Sequence, residues 1–260
     1  MPVNIDPVLI DLGPLSIRWY GVLVTAALLI SMFVTEYYAK KLGQDPDKVA
    51  DLYVPMILAI IIGARLGHVV TNWEYYSQNP LDIFRIYKGG LASHGAFILT
   101  VIVGVFLSRR KGLDTWSLAD AIAPCIAIGH IFVRLGNFIN GELYGSSTNL
   151  PWGIVFPGTY TPRHPLQLYE IITSVILLGL IIGLFHRRRF PGQVFLLTMI
   201  YVSVVRALLD ILRPEFRVTQ YLSLGQIASI TTAVVALILL IFQKRKHRLR
   251  SNLGKEADHV

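Results

Sequence analysis

Three short stretches of this 260-residue chain carry residue types that could do chemistry. The first reads Arg134-Leu135-Gly136-Asn137-Phe138-Ile139-Asn140-Gly141-Glu142-Leu143-Tyr144-Gly145. A guanidinium is a planar fork that matches phosphate oxygens. Asn137, Asn140 and Glu142 add donors and acceptors, and the glycines let backbone approach a ligand closely. The second, Arg163-His164-Pro165-Leu166-Gln167-Leu168-Tyr169-Glu170, opens a helix: Pro165 suits a first-turn position, and Gln167 and Glu170 share a face. The third, Gly89-Gly90-Leu91-Ala92-Ser93-His94-Gly95-Ala96, sets His94 about one turn into a helix among small neighbours, and imidazole is suited to take a proton near neutral pH. Plainer readings stand beside these. The first stretch is also a Gly/Asn helix terminus with its turns, and His94 is also an ordinary hydrogen-bonded helix residue. Glu170 is expected to orient an arginine from a neighbouring helix rather than to react.

The elements that must position these residues are apolar. Hydrophobic residues make up 53% of the chain and charged ones 15%, with mean hydropathy +0.55, whereas soluble domains carry about 25% charged residues. Runs of about 20 apolar residues predict seven transmembrane helices near 17–39, 49–70, 90–108, 117–135, 165–185, 192–211 and 222–243. The expected fold is therefore an all-α integral membrane protein forming a single polytopic domain over 1–260. The Gly-, Asn-, Ser-, Thr- and Pro-rich segment 136–164 is expected to be a small extracytoplasmic insertion. Cys125 is the only cysteine, which removes disulfide frameworks and thiolate metal sites. No removable signal peptide is legible at the start, so the first helix is expected to act as its own insertion signal.

Loop charge sets the orientation. Loops 40–48, 109–111 and 187–189 hold three Lys or Arg each and the tail 244–260 holds six, whereas 71–89, 136–164 and 212–221 hold two, one and two. Positive charge marks the cytoplasmic side, so the N-terminus is expected outside and the C-terminus in the cytoplasm. The net charge of +8 is thereby explained without nucleic acid, which is not an expected partner. Arg18, Arg65, Arg134 and Arg206 fall inside the apolar blocks, and with this orientation each lies near the outer face. His68, His94, His130, Gln167, Glu170 and Asp210 follow the same rule. A single arginine there could be snorkelling to the headgroups. So many polar groups at one leaflet point instead to a site, and phospholipid headgroups are the local phosphates.

The quoted motifs resemble those of the bacterial prolipoprotein diacylglyceryl transferase family. The resemblance covers nearly the whole chain: Ile17-Arg18-Trp19-Tyr20-Gly21, Gly63-Ala64-Arg65-Leu66, Gly89-Gly90 to Gly95, the stretch 134–145, Trp152-Gly153 with Phe156-Pro157, and 163–170. It implies transfer of diacylglyceryl from phosphatidylglycerol to the lipobox cysteine of prolipoproteins, with release of glycerol 1-phosphate and with no metal or cofactor. The implied setting is the bacterial inner membrane, with the active site toward the outer leaflet. Partners would be phosphatidylglycerol, prolipoprotein signal peptides with a lipobox cysteine, and membrane lipids.

Residue by residue, the resemblance places Arg134 and Asn137 in the phosphatidylglycerol site and makes Arg206 the second essential arginine. Tyr20, His94, Glu142 and Gly145 also fall on positions the family uses. His94, Arg134 and Arg206 are the expected catalytic residues; Tyr20, Arg65, Asn137, Glu142, Gly145, Gln167, Glu170 and Asp210 are expected to bind substrate. His94 would act as base on the acceptor thiol. Three positions depart from the family pattern. Ala96 stands for a second glycine after His94, Val202 for a tyrosine four residues before Arg206, and Asp210 for a glutamate four residues after it. Tyr201 neighbours the missing tyrosine, but one residue turns a helical side chain by about 100°. Two competing functions come from other classes, a relative that binds or moves phospholipid without transfer and a small-anion transporter, and a diverged transferase using another acceptor or headgroup lies between. A small-anion transporter fits least, because the inner halves of the helices are strongly apolar.

Overall fold

The computed structural model describes residues 5–13, 16–213 and 222–257. Parts of the 212–221 segment and the last tail residues, on which some of the loop-charge argument rests, lie outside them. In chain order the elements are strands β1 (Val8–Asp11) and β2 (Ser16–Arg18), then helices α1 (Trp19–Lys41), α2 (Pro46–Ala50), α3 (Tyr53–Thr71), α4 (Trp73–Gln78), α5 (Ser93–Arg110), α6 (Thr115–Ile139), α7 (Leu166–His186), α8 (Gln193–Leu209) and α9 (Leu224–Ala257). Short 3-10 turns occupy Pro80–Phe84, Ile86–Lys88 and Asp210–Leu212. Six helices among the described residues are long and apolar enough to cross a membrane: Trp19–Lys41, Pro46–Thr71, Thr115–Ile139, Leu166–His186, Gln193–Leu212 and Leu224–Arg250. The seventh expected span, α5, is not among them. Its 18 residues extend only about 27 Å, and His94 at one end with Arg109 and Arg110 at the other dilute its apolar centre.

Several boundaries differ from the sequence expectation for local reasons. The chain is not purely helical: β1 and β2 form an antiparallel hairpin with Ile10 opposite Ile17, as β-branched Val8, Ile10 and Ile17 favour. Ile17 and Arg18 therefore close a hairpin instead of opening the first helix. Helix α6 runs one turn past the expected end at 135, because Leu135, Phe138 and Ile139 continue its apolar pattern, so Asn137 is helical and not part of a loop. The basic run after Phe242 also stays helical, since Lys, Arg and Leu are good helix formers.

The chain divides into two compact units, one formed by the part up to Thr35 together with the part from Ala119 onward, the other by Glu36–Leu118. In the first unit, Ala123 and Ala127 of α6 pack with Leu177 and Ile181 of α7 and Val194 of α8. The two alanines let the larger side chains approach. Asp120, fully buried, ties the α7–α8 connection to α6: one oxygen accepts from Arg188 Nε at 2.7 Å and Gly192 N at 2.8 Å, the other from Phe195 N at 2.8 Å. A carboxylate from another helix thus caps the orphan donors at the start of α8. At α9, Ser223 and Gln226 make a reciprocal cap, each side chain accepting from the other's backbone N–H.

In the second unit α3 and α5 pack closely along a seam of small residues. A Cβ on Gly63 would lie 2.6 Å from the Gly95 carbonyl oxygen, and one on Gly67 would lie 2.7 Å from Gly95 Cα. The Gly63/Gly67 pair, which from sequence suits intrachain packing and dimerisation equally, here seats α5. Asp45 caps α2, accepting from Asp47 N at 3.1 Å, and Lys111 pairs with Asp51 at 2.6 Å.

Candidate active site

The last three turns of α6 place His130, Arg134 and Asn137 on one face, at i, i+4 and i+7. The start of α7 does the same for Gln167, Glu170 and Ser174. All four of Asn137, Gln167, Glu170 and Ser174 are buried, a costly placement for polar groups unless they are paired. Glu170 is the hub. Its Oε2 lies 2.5 Å from Arg134 Nε, and its Oε1 lies 3.3 Å from Arg206 Nη1 and 3.9 Å from Arg213 Nη2. The Arg134 contact is ionic and off the N–H axis, because that hydrogen points to His130 Nε2 at 3.3 Å.

Arg206 is held from a second side by Asp210, one turn later, at 3.3 Å. Asp210 is in turn fixed by the Ser223 hydroxyl, which donates to its Oδ2 at 2.5 Å. Glu170 thus gathers three guanidinia, and Asp210 adds a second carboxylate on Arg206. Arg206, with its side chain 35% exposed against 11% for Arg134 and 5% for Arg213, is the most open of the three. An anion is the ligand such a set would attract.

A polar line runs from Arg134 into the 140–165 segment. Arg134 Nη1 donates to Asn137 Oδ1 at 3.1 Å, and Asn137 Nδ2 donates to Glu142 Oε1 at 2.9 Å. Asn140 Nδ2 donates to the same Glu142 oxygen at 3.1 Å, and Gln167 Nε2 to the Glu142 carbonyl at 2.6 Å. Leu143 takes a left-handed backbone at φ 60, and its carbonyl accepts from Arg213 Nη2 at 2.8 Å. Gly145 N donates to His164 O at 2.9 Å. The segment is pinned beneath by Phe156, stacked on Tyr144 with centroids 5.0 Å apart.

Gly136 is required by a close approach: a Cβ there would lie 2.7 Å from Tyr20 Cδ2. This seats the Tyr20 ring beside the turn between Arg134 and Asn137. Val202 helps line a cavity of about 70 Å³, whose walls include His130, Glu170, Ser174 and Arg206. Tyr201 does not supply the missing hydroxyl, since its own is spent on the Thr173 carbonyl at 2.9 Å.

The first unit thus brings together Tyr20, Arg134, Asn137, Glu142, Gly145, Gln167, Glu170, Arg206 and Asp210. Arg65 and His94 belong to the second unit. Arg65 is buried, and its guanidinium donates to the carbonyls of Ile83 at 2.8 Å, Gly89 at 2.7 Å, Gly90 at 2.9 Å and Asp82. Those donors anchor the 82–90 segment, so the geometry makes Arg65 a brace rather than the headgroup fork expected from its charge. His94 is exposed in the first turn of α5, just after Ala92, whose N–H donates to Ala64 O at 2.9 Å. Ser174, Arg213 and Ser223 were not among the expected site residues, and His130 was expected only as a member of the outer-face polar cluster, without a role of its own. Two of them were legible: His130 lies one turn before Arg134, and Ser174 one turn after Glu170. No group of three or more His, Cys, Asp or Glu among the described residues could hold a metal ion.

Residues 7–242 match the family model described as prolipoprotein diacylglyceryl transferase. The chain is 36% identical over 252 residues to a phosphatidylglycerol–prolipoprotein diacylglyceryl transferase of Geobacter sulfurreducens, covering 94% of this chain and 97% of that protein. It is 34% identical over 245 residues to the enzyme of that name from Trichormus variabilis, covering 89% and 87%. For the enzyme of that name from Vibrio parahaemolyticus, identity is 33% over 252 residues, covering 94% and 92%.

Proposed function

The chain belongs to the prolipoprotein diacylglyceryl transferase family, and from that premise we propose how its residues carry the transfer. It moves the diacylglyceryl group of phosphatidylglycerol onto prolipoproteins. The acceptor in this proposal is the lipobox cysteine of the prolipoprotein signal peptide; Cys125 takes no part. The cysteine sulfur attacks the glyceryl carbon that bears the phosphate. A C–S bond forms, the C–O bond to phosphate breaks, and glycerol 1-phosphate leaves with the bonding electrons. A thiol reacts as thiolate, so its proton must go to a base. His94 is assigned that role, on the resemblance and on its exposure in the first turn of α5.

The observation that carries the phosphate assignment is the convergence of Arg134 and Arg206 on buried Glu170, with the Arg206 side chain partly open. Negative charge grows on the leaving phosphate as the C–O bond breaks. Guanidinia held in place beforehand stabilise that charge without reorganising. Glu170 and Asp210 hold them. Asn137, Glu142, Gly145, Gln167 and Tyr20 shape the surroundings of the headgroup.

Purified protein in phosphatidylglycerol vesicles, given a lipobox peptide, is expected to yield the thioether peptide and glycerol 1-phosphate in equal amounts. Removal of one preorganised donor costs about 10²–10³ in rate in comparable sites, so Arg134→Ala is expected to lose at least that much. Equal product from Arg134→Ala and the wild type overturns the phosphate assignment.

The membrane setting belongs to the same proposal. Helix α5 is taken as a seventh crossing, because Phe97, Ile98, Val101, Ile102 and Phe106 are all exposed along it and such a face suits lipid. Seven crossings with the loop charges above place the N-terminus outside, the C-terminus in the cytoplasm, and Arg134 toward the outer leaflet of the bacterial inner membrane.

A further inference from the structure

We infer that His130 is a positioning residue for Arg134, fixing the guanidinium edge from behind so that its far edge is presented to the phosphate; this rests on the proposed role of Arg134. His130 lies on α6 one turn before Arg134. Its Nε2 accepts the Arg134 Nε–H at 3.3 Å, and its Nδ1 stands 2.9 Å from Ser174 Oγ on α7. The Ser174 hydroxyl donates to the Glu170 carbonyl at 2.7 Å. These contacts set one consistent pattern of protons. Ser174 has spent its hydrogen on the carbonyl and must accept from Nδ1–H, which leaves Nε2 bare to accept from Arg134.

The ring is therefore a rigid spacer between the α7 backbone and the arginine. Arg134 is gripped at Nε by His130, beside Glu170, and at Nη1 by Asn137. Its Nη2 has no partner among the described residues, so the donors left for a ligand sit on one edge. Asn137 and Glu170 alone leave the guanidinium free to rotate about the line joining them. The aromatic ring, tied to α7 through Ser174, removes that freedom. A misplacement of about 1 Å at such a group can cost about 10²-fold in rate, which is the scale on which a positioning residue acts.

The test compares His130→Leu, which removes both ring nitrogens, with His130→Gln, whose amide oxygen can occupy the place of Nε2. In the vesicle assay His130→Leu is expected to lower kcat/KM for phosphatidylglycerol by about tenfold or more, and His130→Gln to recover most of that loss. In an Arg134→Lys background His130→Leu is expected to add little. Wild-type kinetics in His130→Leu, or the same loss in the Arg134→Lys background, overturns the inference. Ser174→Ala, which barely alters packing, serves if His130→Leu fails to fold, and is expected to lose activity in the same direction; no loss counts against the inference.

A readout independent of turnover is the proton–nitrogen NMR signal of the Arg134 Nε–H, identified by its disappearance in Arg134→Lys. It is expected to shift and exchange faster in His130→Leu and to return in His130→Gln. An unmoved signal overturns the inference even if the wild type transfers nothing, whereas a wild type without thioether product overturns the function and leaves the NMR result standing.

Discussion

Glu170 sits 2% exposed with guanidinia at 2.5, 3.3 and 3.9 Å, so its charge is the counterion for groups that cannot shed theirs. Arginine stays protonated in proteins, and replacing the carboxylate leaves the repulsion among Arg134, Arg206 and Arg213 unbalanced. Breaking a buried pair by removing one partner costs about 3–5 kcal/mol. Glu170→Gln, nearly the same shape without the charge, is therefore expected to lower the thermal midpoint in detergent and to reduce diacylglyceryl transfer. A variant as stable and as active as the wild type would show that the cluster does not depend on this carboxylate. Asp210 has a narrower duty. Its carboxylate pairs with Arg206 and is itself held by Ser223, so its shorter side chain is compensated by a neighbour that aims it.

At the scale of elements, the site depends on how helix ends are fastened. Asp120 joins α6 to the loop before α8 through one arginine and two backbone N–H groups. Helix α8, which starts at this joint, is 17 residues long and carries Arg206 near its far end. Asp120→Ala takes an ion-pair contact from Arg188 and the acceptor from the Gly192 and Phe195 backbone N–H groups; an orphaned buried donor costs about 1–3 kcal/mol. The expected result is a loss of thermal stability of at least about 3 kcal/mol, while the protein that remains folded at low temperature keeps much of its transferase activity. A stable but inactive Asp120→Ala would mean instead that this joint governs the chemistry directly. In the second unit the fastening is steric, with Gly63, Gly67 and Gly95 bringing α3 and α5 together while Arg65 clamps the 82–90 segment that leads to His94.

For the molecule as a whole, seven crossings make a prediction that six do not. With α5 crossing, the connections around 112 and 190 and the end of α9 lie in the cytoplasm, and the 140–165 segment lies outside. Single cysteines placed at exposed Tyr87 and Arg110, which flank α5, in a Cys125→Ser background are expected to react with an impermeant thiol reagent from opposite sides of the membrane. Labelling of both from the same side would remove α5 from the set of crossings. The α9 tail is relevant here too, because its helix carries Lys244, Arg245, Lys246, Arg248 and Arg250, charges that by the positive-inside rule predict a cytoplasmic end.

The amino-acid sequence by itself determined the class of protein, the approximate helices and the kind of ligand. Apolar runs, loop charge and arginine chemistry are local properties, and they survive without knowing which helix touches which. It also placed Gln167 with Glu170 on a shared face, because helical spacing is enough for that. What it could not settle was pairing. Helices such as α7 are apolar nearly all round, so no amphipathic stripe told which face turns inward, and Glu170 lies 36 residues from Arg206 in the chain. Only the tertiary structure brought three arginines onto one carboxylate, turned Arg65 from a headgroup ligand into a brace for four carbonyls, and set His130 behind Arg134. Helix rotation and close packing decide such contacts, and both depend on residues distant in the chain.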